Sequence, residues 1–163
     1  LIELALANPQ DSFIGLELRY KRLVLAAKKI ERQNIQNILL MRERGQFIDE
    51  YLPHKSMDCM HINFPDPWSK KARRKHRILS AEFLSKMHPH FRSKGELRFK
   101  TDHLEYFETV TDILQDLKTY TIIEHTTDLH RSEYNENNIL TEFEMLFKSK
   151  DNPPIGFLRA EVL

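Results

Sequence analysis

The sequence lacks most of the features that mark membrane proteins, secreted proteins and strongly charged proteins. Its single cysteine, Cys59, cannot form an intramolecular disulfide, which is typical of a protein kept in a reducing cytosol. No apolar run approaches the roughly 20 residues that a membrane-spanning helix needs. The formal net charge of the 163 residues is only +1, so attraction to a polyanion must come from local clusters of charge. These absences favour a soluble, cytoplasmic protein.

Metal sites and catalytic triads are also missing from the pattern of residues. The eight histidines are scattered, and none is spaced from Cys59 or from an acidic residue as metal ligands usually are. His88 and His90 lie two apart on a predicted helix, which points their side chains in different directions. No Ser-His-Asp or Cys-His arrangement is suggested by the sequence. We therefore expect no metal ion.

The chain begins within an apolar pattern and without a methionine. Residues 1–11, LIELALANPQD, read as the last turns of a helix that ends at Asn8, because the residue before a proline avoids the helical region. A domain seldom begins halfway along a buried element. We therefore expect residues 1–163 to be a single domain whose N-terminal part is missing.

Strand and helix patterns alternate along most of the chain. Strands are predicted at residues 12–18, 37–41, 57–64, 96–102, 120–126, 141–147 and 156–162. Helices are predicted at residues 20–32, 45–52, 81–91 and 104–117, the third capped by Ser80. This order predicts an α/β fold with a mostly parallel sheet, helices on both faces and an antiparallel pair of strands near the C-terminus.

Three acidic residues lie at or just after the ends of predicted strands: Glu17, Asp66 and Asp102. Ligands of open α/β sheets bind outside the carboxyl ends of the strands, so these positions are candidates for a site. An acid at the position of Glu17 can accept hydrogen bonds from ribose hydroxyls, and a surface glutamate at a strand edge is the alternative. Asp66 lies between Pro65 and Pro67, which restrict the directions in which its carboxylate points.

The densest cluster of positive charge follows Asp66 at once, in NFPDPWSKKARRKHR (residues 63–77). Residues 70–77 contain six Lys or Arg and no acid. Charge runs are usually solvated surface, but four or five cations that meet phosphates would provide most of a nonspecific affinity for RNA. The only tryptophan, Trp68, lies in the same polar segment and either packs onto the domain or stacks on a flat ligand. We interpret this segment as part of a pocket beside a surface for a polyanion.

Three segments resemble the bacterial tRNA (guanine-N7-)-methyltransferases: NFPDPWSKKARRKHR, FKTD (residues 99–102) and TEFE (residues 141–144). The likeness covers essentially the whole chain. It implies a Rossmann-like class I methyltransferase fold with S-adenosylmethionine as the cofactor. It also implies tRNA as the partner and methylation of N7 of the guanine at position 46, in the variable loop.

The resemblance further implies roles for individual residues. Asp66 is implied to be catalytic and to lie next to the cofactor, and Glu17 is implied to bind the ribose. The implied substrate-binding residues are Lys70, Asp102, Thr141, Glu142, Phe143 and Glu144. The implied RNA-contacting residues are Ala72, Arg73, Arg74, Lys75, His76 and Arg77.

Two departures from the family pattern concern the cofactor. The family has a glycine-rich loop before its first helix, whereas this chain has four glycines and no G-x-G near its start. We therefore expect the chain as given to lack the first strand and this loop, and to bind the cofactor poorly. The family usually has Asp or Asn to meet the adenine after the strand at residues 37–41. The matching position is Arg44, and the neighbouring Glu43 is the other candidate.

The expected chemistry does not require a strong base. N7 of guanine has a free lone pair, so no proton has to leave before this atom attacks a methyl group. We therefore expect Asp66 to position the base rather than to deprotonate it. Asp66 and Asp102 can also accept hydrogen bonds from the N1–H and amino groups of guanine.

Two other functions remain open from the sequence. An amino-methyltransferase that acts on adenine or cytosine has an Asn/Asp-Pro-Pro-aromatic turn at the corresponding place, which PDPW partly resembles. A catalytically inactive RNA-binding module is suggested by the missing glycine-rich loop. The sequence does not decide between a monomer and a homodimer.

Overall fold

The computed structural model describes residues 1–147 and 153–163, which fall into two compact units. The first unit comprises Leu1–Tyr51, and the second comprises Leu52–Leu163. Each unit has its own sheet, with two strands in the first and four in the second.

The first unit is built on two parallel strands. Its elements are the helix α1 (Ile2–Ala7), the strand β1 (Phe13–Leu16), the helix α2 (Tyr20–Arg32), the strand β2 (Ile38–Met41) and a 3-10 helix (Gly45–Glu50). Phe13 pairs with Ile38 and Leu16 pairs with Met41. Because the strands are parallel, their carboxyl ends meet at one edge of this sheet.

The side chain of Asn37 fixes the end of α1 against the start of β2. Its amide nitrogen donates to the carbonyl oxygens of Ala5 (3.2 Å), Asn8 (3.2 Å) and Asp11 (2.9 Å). The helix ends before Asn8, as the proline that follows this residue predicts.

The second unit is a four-stranded mixed sheet with helices packed against it. Its main elements are β3 (Met57–Asn63), α3 (Ala81–Met87), β4 (Phe91–Thr101), α4 (Leu104–Leu117), β5 (Tyr120–Thr126), α5 (Glu142–Phe147) and β6 (Gly156–Val162). The strand order is β3-β4-β6-β5; β3 and β4 are parallel, whereas β6 is antiparallel to β4 and to β5. The expected α/β fold is confirmed, and its antiparallel C-terminal pair consists of β5 and β6.

The larger hydrophobic core lies between this sheet and the helices α3 and α4. Phe99 of β4 and Phe107 of α4 are fully buried, and their stacked rings are 6.2 Å apart between centroids. Gly156 of β6 makes this approach possible, because a Cβ atom there would lie 2.7 Å from the Phe107 ring. Ser80 caps α3 as predicted, since its hydroxyl accepts a hydrogen bond from the N–H of Phe83 (3.2 Å).

The opposite face of the sheet carries Lys100, because neighbouring residues of a strand point to opposite sides. Phe157 pairs with Lys100 across β6 and β4 and therefore lies on the same face. It belongs to a smaller apolar cluster with Leu129, Ile155, Phe64 and Tyr134. The helix α5 also contacts this face, since Glu144 is ion-paired with Lys100 (3.2 Å). Helices thus cover both faces of the four-stranded sheet.

Some predicted elements of this unit are wrong. Residues 141–147, predicted as a strand, contain the helix α5. The strand predicted at residues 96–102 begins earlier, at Phe91. The helix predicted to run from residue 81 to about residue 91 consists of α3, which ends at Met87, and a 3-10 helix, His88–His90. The pairing of β3 with β4 is irregular where residues 92–95 are accommodated, and Lys94 adopts a left-handed φ of 63° there.

Two kinds of feature are absent from the described residues. No helix in residues 1–147 or 153–163 combines the length and the apolar character needed to cross a membrane. The same residues contain no group of three or more His, Cys, Asp or Glu side chains arranged to hold a metal ion.

Candidate active site

The turn after β3 presents Asp66 at the carboxyl edge of the sheet. The N–H of Phe64 donates to the carbonyl oxygen of Lys100 (2.8 Å), so the ladder extends one residue beyond β3. The chain then adopts left-handed conformations at Phe64 (φ 49°) and Trp68 (φ 42°), which are unfavourable for residues other than glycine. The Asp66 carboxylate is exposed and forms no hydrogen bond or ion pair with the described residues. It is therefore available to a ligand.

Asp102 lies at the same edge, directly after β4. Asn63 pairs with Lys100 across the parallel strands, so Asp66 follows this pair by three residues and Asp102 by two. Asp102 is half-buried, and its carboxylate also has no hydrogen bond or ion pair within the part of the chain that the structure describes. A carboxylate partly withdrawn from water usually has a partner, so the half-buried Asp102, next to the exposed Asp66 at one edge, indicates a ligand site.

His103 links the start of α4 to the turn after β3. Its Nδ1 accepts a hydrogen bond from the N–H of Tyr106 (3.2 Å) and so caps the helix. The neutral ring therefore carries its proton on Nε2, which lies 3.2 Å from the Ser69 hydroxyl and donates to it. This contact ties the segment that carries Asp102 to the segment that carries Asp66.

Arg77, the last cation of the basic segment, is buried. Only 7% of its surface is accessible, and its guanidinium lies 4.5 Å from the centre of the Tyr106 ring. Its Nε donates to the carbonyl oxygen of Pro67 (2.7 Å), and its Nη2 donates to the Glu105 carboxylate (2.6 Å). These partners all belong to the protein. Arg77 is therefore placed differently from the RNA-contacting residue that the family resemblance implies.

The rest of the basic segment is exposed and forms a 3-10 helix, Lys71–His76. Arg74 is paired with Glu105 (3.0 Å), yet 45% of its side chain remains exposed. Within residues 1–147 and 153–163, four exposed cations of this segment have no ion-pair partner: Lys70, Lys71, Arg73 and Lys75. Their charges are available to an anionic partner.

Trp68 packs against this basic helix. Its ring lies 5.4 Å from the ring of His76, measured between centroids, and it is half-buried. His76 and Ala72 are themselves exposed. The half-buried tryptophan thus contacts the basic helix, and the stacking on a flat ligand that the sequence leaves open stays a prediction.

The motif TEFE begins the helix α5. The Thr141 hydroxyl accepts a hydrogen bond from the N–H of Glu144 (3.1 Å), and the Glu144 carboxylate accepts one from the N–H of Thr141 (2.8 Å). This reciprocal capping box satisfies two backbone donors that the first turn of a helix leaves without partners. The strand predicted for these residues is therefore wrong.

Phe143 brings this motif next to the turn after β3. Its ring lies 4.4 Å from the ring of Phe64 between centroids, and Phe64 precedes Asp66 by two residues. Glu142, in the same turn of α5, is exposed. Two motifs that are distant in the sequence are thus adjacent in the structure.

Glu144 is fully buried and is held by donors from four residues. Besides the Thr141 N–H, they are the Asn138 amide (3.0 Å), the Lys100 ammonium (3.2 Å) and His130 Nε2 (3.2 Å). With 0% of its surface exposed, Glu144 cannot touch a substrate in this conformation. Its contacts instead hold α5 to Lys100, Asn138 and His130.

The charged form of Glu144 is strongly favoured. Burial raises the pKa of this carboxyl group, but the hydrogen bonds from Thr141 and Asn138 and the charge of Lys100 outweigh burial and lower the pKa to about 2. Burial lowers the pKa of Lys100, and the nearby charge of Glu144 opposes that shift. The pair is therefore an ion pair at neutral pH.

The low pKa of Glu144 predicts a stabilisation that acid removes. A carboxyl group whose pKa is depressed by folding stabilises the fold above its ordinary pKa of 4.5 and loses this contribution as the pH falls through about 2. A shift of this size corresponds to about 3 kcal/mol at neutral pH. Urea denaturation at a series of pH values measures it. The unfolding free energy of the wild type should approach that of Glu144→Gln as the pH falls through this window, and a constant difference would contradict the assignment.

Glu17 follows the strand β1 in the first unit. Its N–H donates to the carbonyl oxygen of Met41 at the end of β2 (3.2 Å), which extends the pairing of the strands. Its Oε1 accepts a hydrogen bond from the N–H of Arg19 (2.7 Å), so Oε2 is left to accept from a ligand. A carboxylate in this place suits the two hydroxyls of a ribose. The residue present therefore fits the ribose of the expected cofactor.

The two candidates for the adenine differ in their availability. Both oxygens of Glu43 are engaged, Oε1 by the N–H of Arg44 (2.7 Å) and Oε2 by the Tyr51 hydroxyl (3.2 Å). The Arg44 side chain is exposed and has no ion pair among the described residues. Arg44 is thus the freer of the two to meet a ligand.

Comparison with known proteins assigns the family. Residues 1–155 match the family described as "Putative methyltransferase". The tRNA (guanine-N(7)-)-methyltransferase of Mycoplasma pneumoniae is 36% identical over 152 residues, which cover 91% of this chain and 72% of that protein. The chain belongs to the tRNA (guanine-N7-)-methyltransferase family. The expected enzyme class, a methyltransferase, and the expected cofactor, S-adenosylmethionine, are thereby confirmed.

Other relatives differ in how much of their length the chain spans. A bifunctional glycosyltransferase/methyltransferase of Fusobacterium nucleatum is 44% identical over 158 residues, which are 97% of this chain but only 24% of that protein. Among solved structures, the precorrin-6y C5,15-methyltransferase of Geobacter metallireducens is similar with a TM-score of 0.64 and 16% identity, covering 98% of this chain and 71% of that one. A Streptococcus mutans protein described as "a putative methyltransferase", solved in complex with SAH, gives 0.59 and 14%, covering 93% and 76%. These structures support the Rossmann-like fold.

Sequence reasoning missed the residues that hold this family's motifs together. The pattern Thr-x-x-Glu at residues 141–144 is the signature of a capping box and would have predicted α5. The hydrogen bonds of His103 and the burial of Arg77 have no such local signature, because they depend on contacts between distant segments.

Proposed function

We propose that this enzyme methylates N7 of a guanine in the variable loop of tRNA. The observation that carries the proposal is the pair of carboxylates, Asp66 and Asp102, at the carboxyl ends of the parallel strands β3 and β4. Neither has a partner among the described residues. Several relatives named tRNA (guanine-N(7)-)-methyltransferase, 33–36% identical, support the same substrate and atom. We further propose a single methyltransferase domain that acts in the cytoplasm.

The reaction needs alignment and charge stabilisation. When bound, S-adenosylmethionine supplies the methyl group: the bond from N7 to carbon forms, the carbon–sulfur bond breaks, and its electron pair stays on sulfur. N7 carries no proton, so no residue has to act as a base. The purine gains positive charge, and the Asp66 carboxylate stabilises it. Glu17 would hold the ribose of the cofactor, and the cofactor contact expected for Asp66 remains part of the proposal.

The two aspartates also explain a preference for guanine. Guanine has donors at N1 and at its amino group, whereas adenine has an acceptor at N1. Carboxylates such as those of Asp66 and Asp102 can only accept hydrogen bonds. They therefore match the two donors of guanine, whereas the N1 acceptor of adenine would find no donor there. Beside them we assign Lys70 and the exposed Glu142 to the substrate side of the site. Phe143 packs against Phe64 and so supports the turn that carries Asp66.

The exposed basic helix provides the surface for the sugar-phosphate backbone. Its available cations are Lys71, Arg73 and Lys75, with Lys70 at its N-cap, Arg74 partly exposed, and Ala72 and His76 on the same helix. Each cation that meets a phosphate releases condensed counterions, which makes the affinity depend on salt.

Arg73→Ala should therefore weaken tRNA binding and flatten its salt dependence. The slope of log K against log[salt] should become less steep by about one unit, since one phosphate contact is lost. A salt titration of tRNA binding measures this slope for the variant and the wild type. Arg92→Ala is a suitable control, because Arg92 is an exposed arginine paired with Asp58 (2.8 Å) outside the basic segment. Equal slopes for Arg73→Ala and the wild type would remove Arg73 from the RNA surface.

Methyl transfer to unmodified tRNA tests the proposed function as a whole. The tRNA is incubated with the full-length protein and labelled S-adenosylmethionine, digested to nucleosides and analysed by mass spectrometry. We expect 7-methylguanosine. Methylated adenosine or cytidine would indicate an amino-methyltransferase, and tRNA binding without any transfer would indicate an inactive RNA-binding module. Either of these results would contradict the proposal.

A further inference from the structure

Arg77 connects three parts of the second unit: the basic segment, the turn that carries Asp66, and the helix α4. We propose that Arg77 and Glu105 are positioning residues, which hold the Asp66 turn in the arrangement that the reaction needs, and that Arg77 does not bind phosphate. The inference rests on the proposed function for its kinetic consequence. Its structural part can be tested without that function.

The planar guanidinium of Arg77 donates hydrogen bonds to two different segments, the Asp66 turn and the helix α4. Nε points to the carbonyl oxygen of Pro67 (2.7 Å), the residue directly after Asp66. Nη2 and Nη1 point to the two oxygens of Glu105, at 2.6 Å and 3.4 Å. The Tyr106 ring covers the flat face of the guanidinium at 4.5 Å. Lysine cannot reproduce this set of contacts, because its ammonium group is a single point charge.

Glu105 forms ion pairs with two arginines of the basic segment, Arg74 and Arg77. The hydrogen bond from Arg77 lowers the pKa of this carboxyl group, and the charges of Arg77 and Arg74 act in the same direction. Only 5% of the Arg77 side chain is exposed, so leaving its charge without Glu105 would be unfavourable. The pair is therefore expected to stay formed whether or not RNA is bound.

The Asp66 turn needs such support. Phe64 and Trp68 both have left-handed backbone conformations, which persist only where the surrounding contacts hold them. Among the described residues, the hydrogen bonds between this turn and the rest of the unit come from Arg77 to Pro67, from His103 to Ser69 and from Phe64 to Lys100. Arg77 is the one that joins the turn to Glu105, in the first turn of the helix that follows Asp102.

The only tryptophan of the chain allows a direct measurement on this turn. Trp68 follows Pro67, so the accessibility of its ring to acrylamide reports whether the turn is held. We propose to measure acrylamide quenching, kcat at saturating tRNA and the salt slope of tRNA binding for Arg77→Lys and Glu105→Gln. Arg92→Lys is the matched control, since it alters an exposed arginine that makes two hydrogen bonds to Asp58.

For both variants we expect stronger quenching of Trp68, a kcat lowered by about 10-fold and an unchanged salt slope. Arg92→Lys should match the wild type in all three. A phosphate-binding Arg77 would give the reverse: unchanged quenching and kcat in both variants, with weaker tRNA binding in Arg77→Lys, because lysine cannot form the bidentate phosphate contact, and unchanged binding in Glu105→Gln. That result, or no change in any readout, would overturn the inference.

If the wild type transferred no methyl group to tRNA, the proposed function would fail, while the quenching measurement would still decide the structural inference. A thermal melt of each variant separates a loosened turn from a loss of folding.

Discussion

Asp66→Asn should lower the kcat of tRNA methylation by about 100-fold, the range found when one preorganised electrostatic contact to a transition state is removed. Asparagine keeps the shape of the side chain but has no charge to stabilise the positive purine. It also replaces one acceptor oxygen with an NH2 donor, which faces the N1–H or amino group of guanine with the wrong polarity. Because no proton is transferred, the loss should not be recovered at higher pH. Steady-state methyl transfer to unmodified tRNA measures the effect.

Asp112→Asn provides the comparison for this variant. Asp112 is an exposed aspartate of α4 with no hydrogen bond or ion pair in the described part of the chain. Its replacement should leave kcat within a factor of two of the wild type, as is usual for exposed surface positions. If Asp66→Asn behaved like this control, the Asp66 carboxylate would have no role in the transition state.

Glu144→Ala should lower the free energy of unfolding by about 3 to 5 kcal/mol, because it leaves the buried Lys100 without its ion pair. The Lys100 side chain is only 11% exposed, so water cannot replace the missing carboxylate without rearrangement. The variant also removes half of the capping box at Thr141 and the acceptor of His130 and Asn138. Since α5 places Phe143 against Phe64, its loss should reduce kcat as well. Urea denaturation and steady-state kinetics measure the two effects.

The ion pair can be separated from the loss of the side chain with a double variant. Lys100→Met together with Glu144→Gln removes both charges, and glutamine can still accept the hydrogen bond from the Thr141 N–H. The double variant should be less destabilised than the sum of the two single changes. Each single change leaves one buried charge without its ion-pair partner, whereas the double variant leaves none. Glu136→Ala, at an exposed glutamate, should change the unfolding free energy by less than about 0.5 kcal/mol. Strict additivity of Lys100 and Glu144 would show that they are not coupled.

The sequence predicts the fold because its local patterns agree with the tertiary contacts. Alternating strands and helices gave the parallel pairing of β3 with β4, and the residues after these strands, Asp66 and Asp102, lie at one edge. The Ser80 cap and the end of α1 at Asn8 also follow from local rules, since a hydroxyl or a proline acts on its own neighbours.

One part that sequence reasoning got wrong has a local signature, whereas a feature that it missed depends on contacts between distant residues. The short apolar run at residues 141–147 fits a strand or a helix, and the reciprocal hydrogen bonds of Thr141 and Glu144 decide for the helix. Arg77 looks like its cationic neighbours in the sequence, and only Glu105 and Tyr106, on another element, reveal that it is buried. Burial of a charged residue follows from its partners, so it cannot be read from charge alone.

Replacement of the target guanosine by 7-deazaguanosine tests the central claim most directly, because a C–H group then stands where the nucleophilic lone pair was. A tRNA with this single substitution in its variable loop should bind the enzyme like normal tRNA, since N1–H, the amino group and the phosphates are unchanged. It should accept no methyl group at that base. Undiminished methyl transfer to the 7-deazaguanosine tRNA would show that another atom is the nucleophile and would contradict the account.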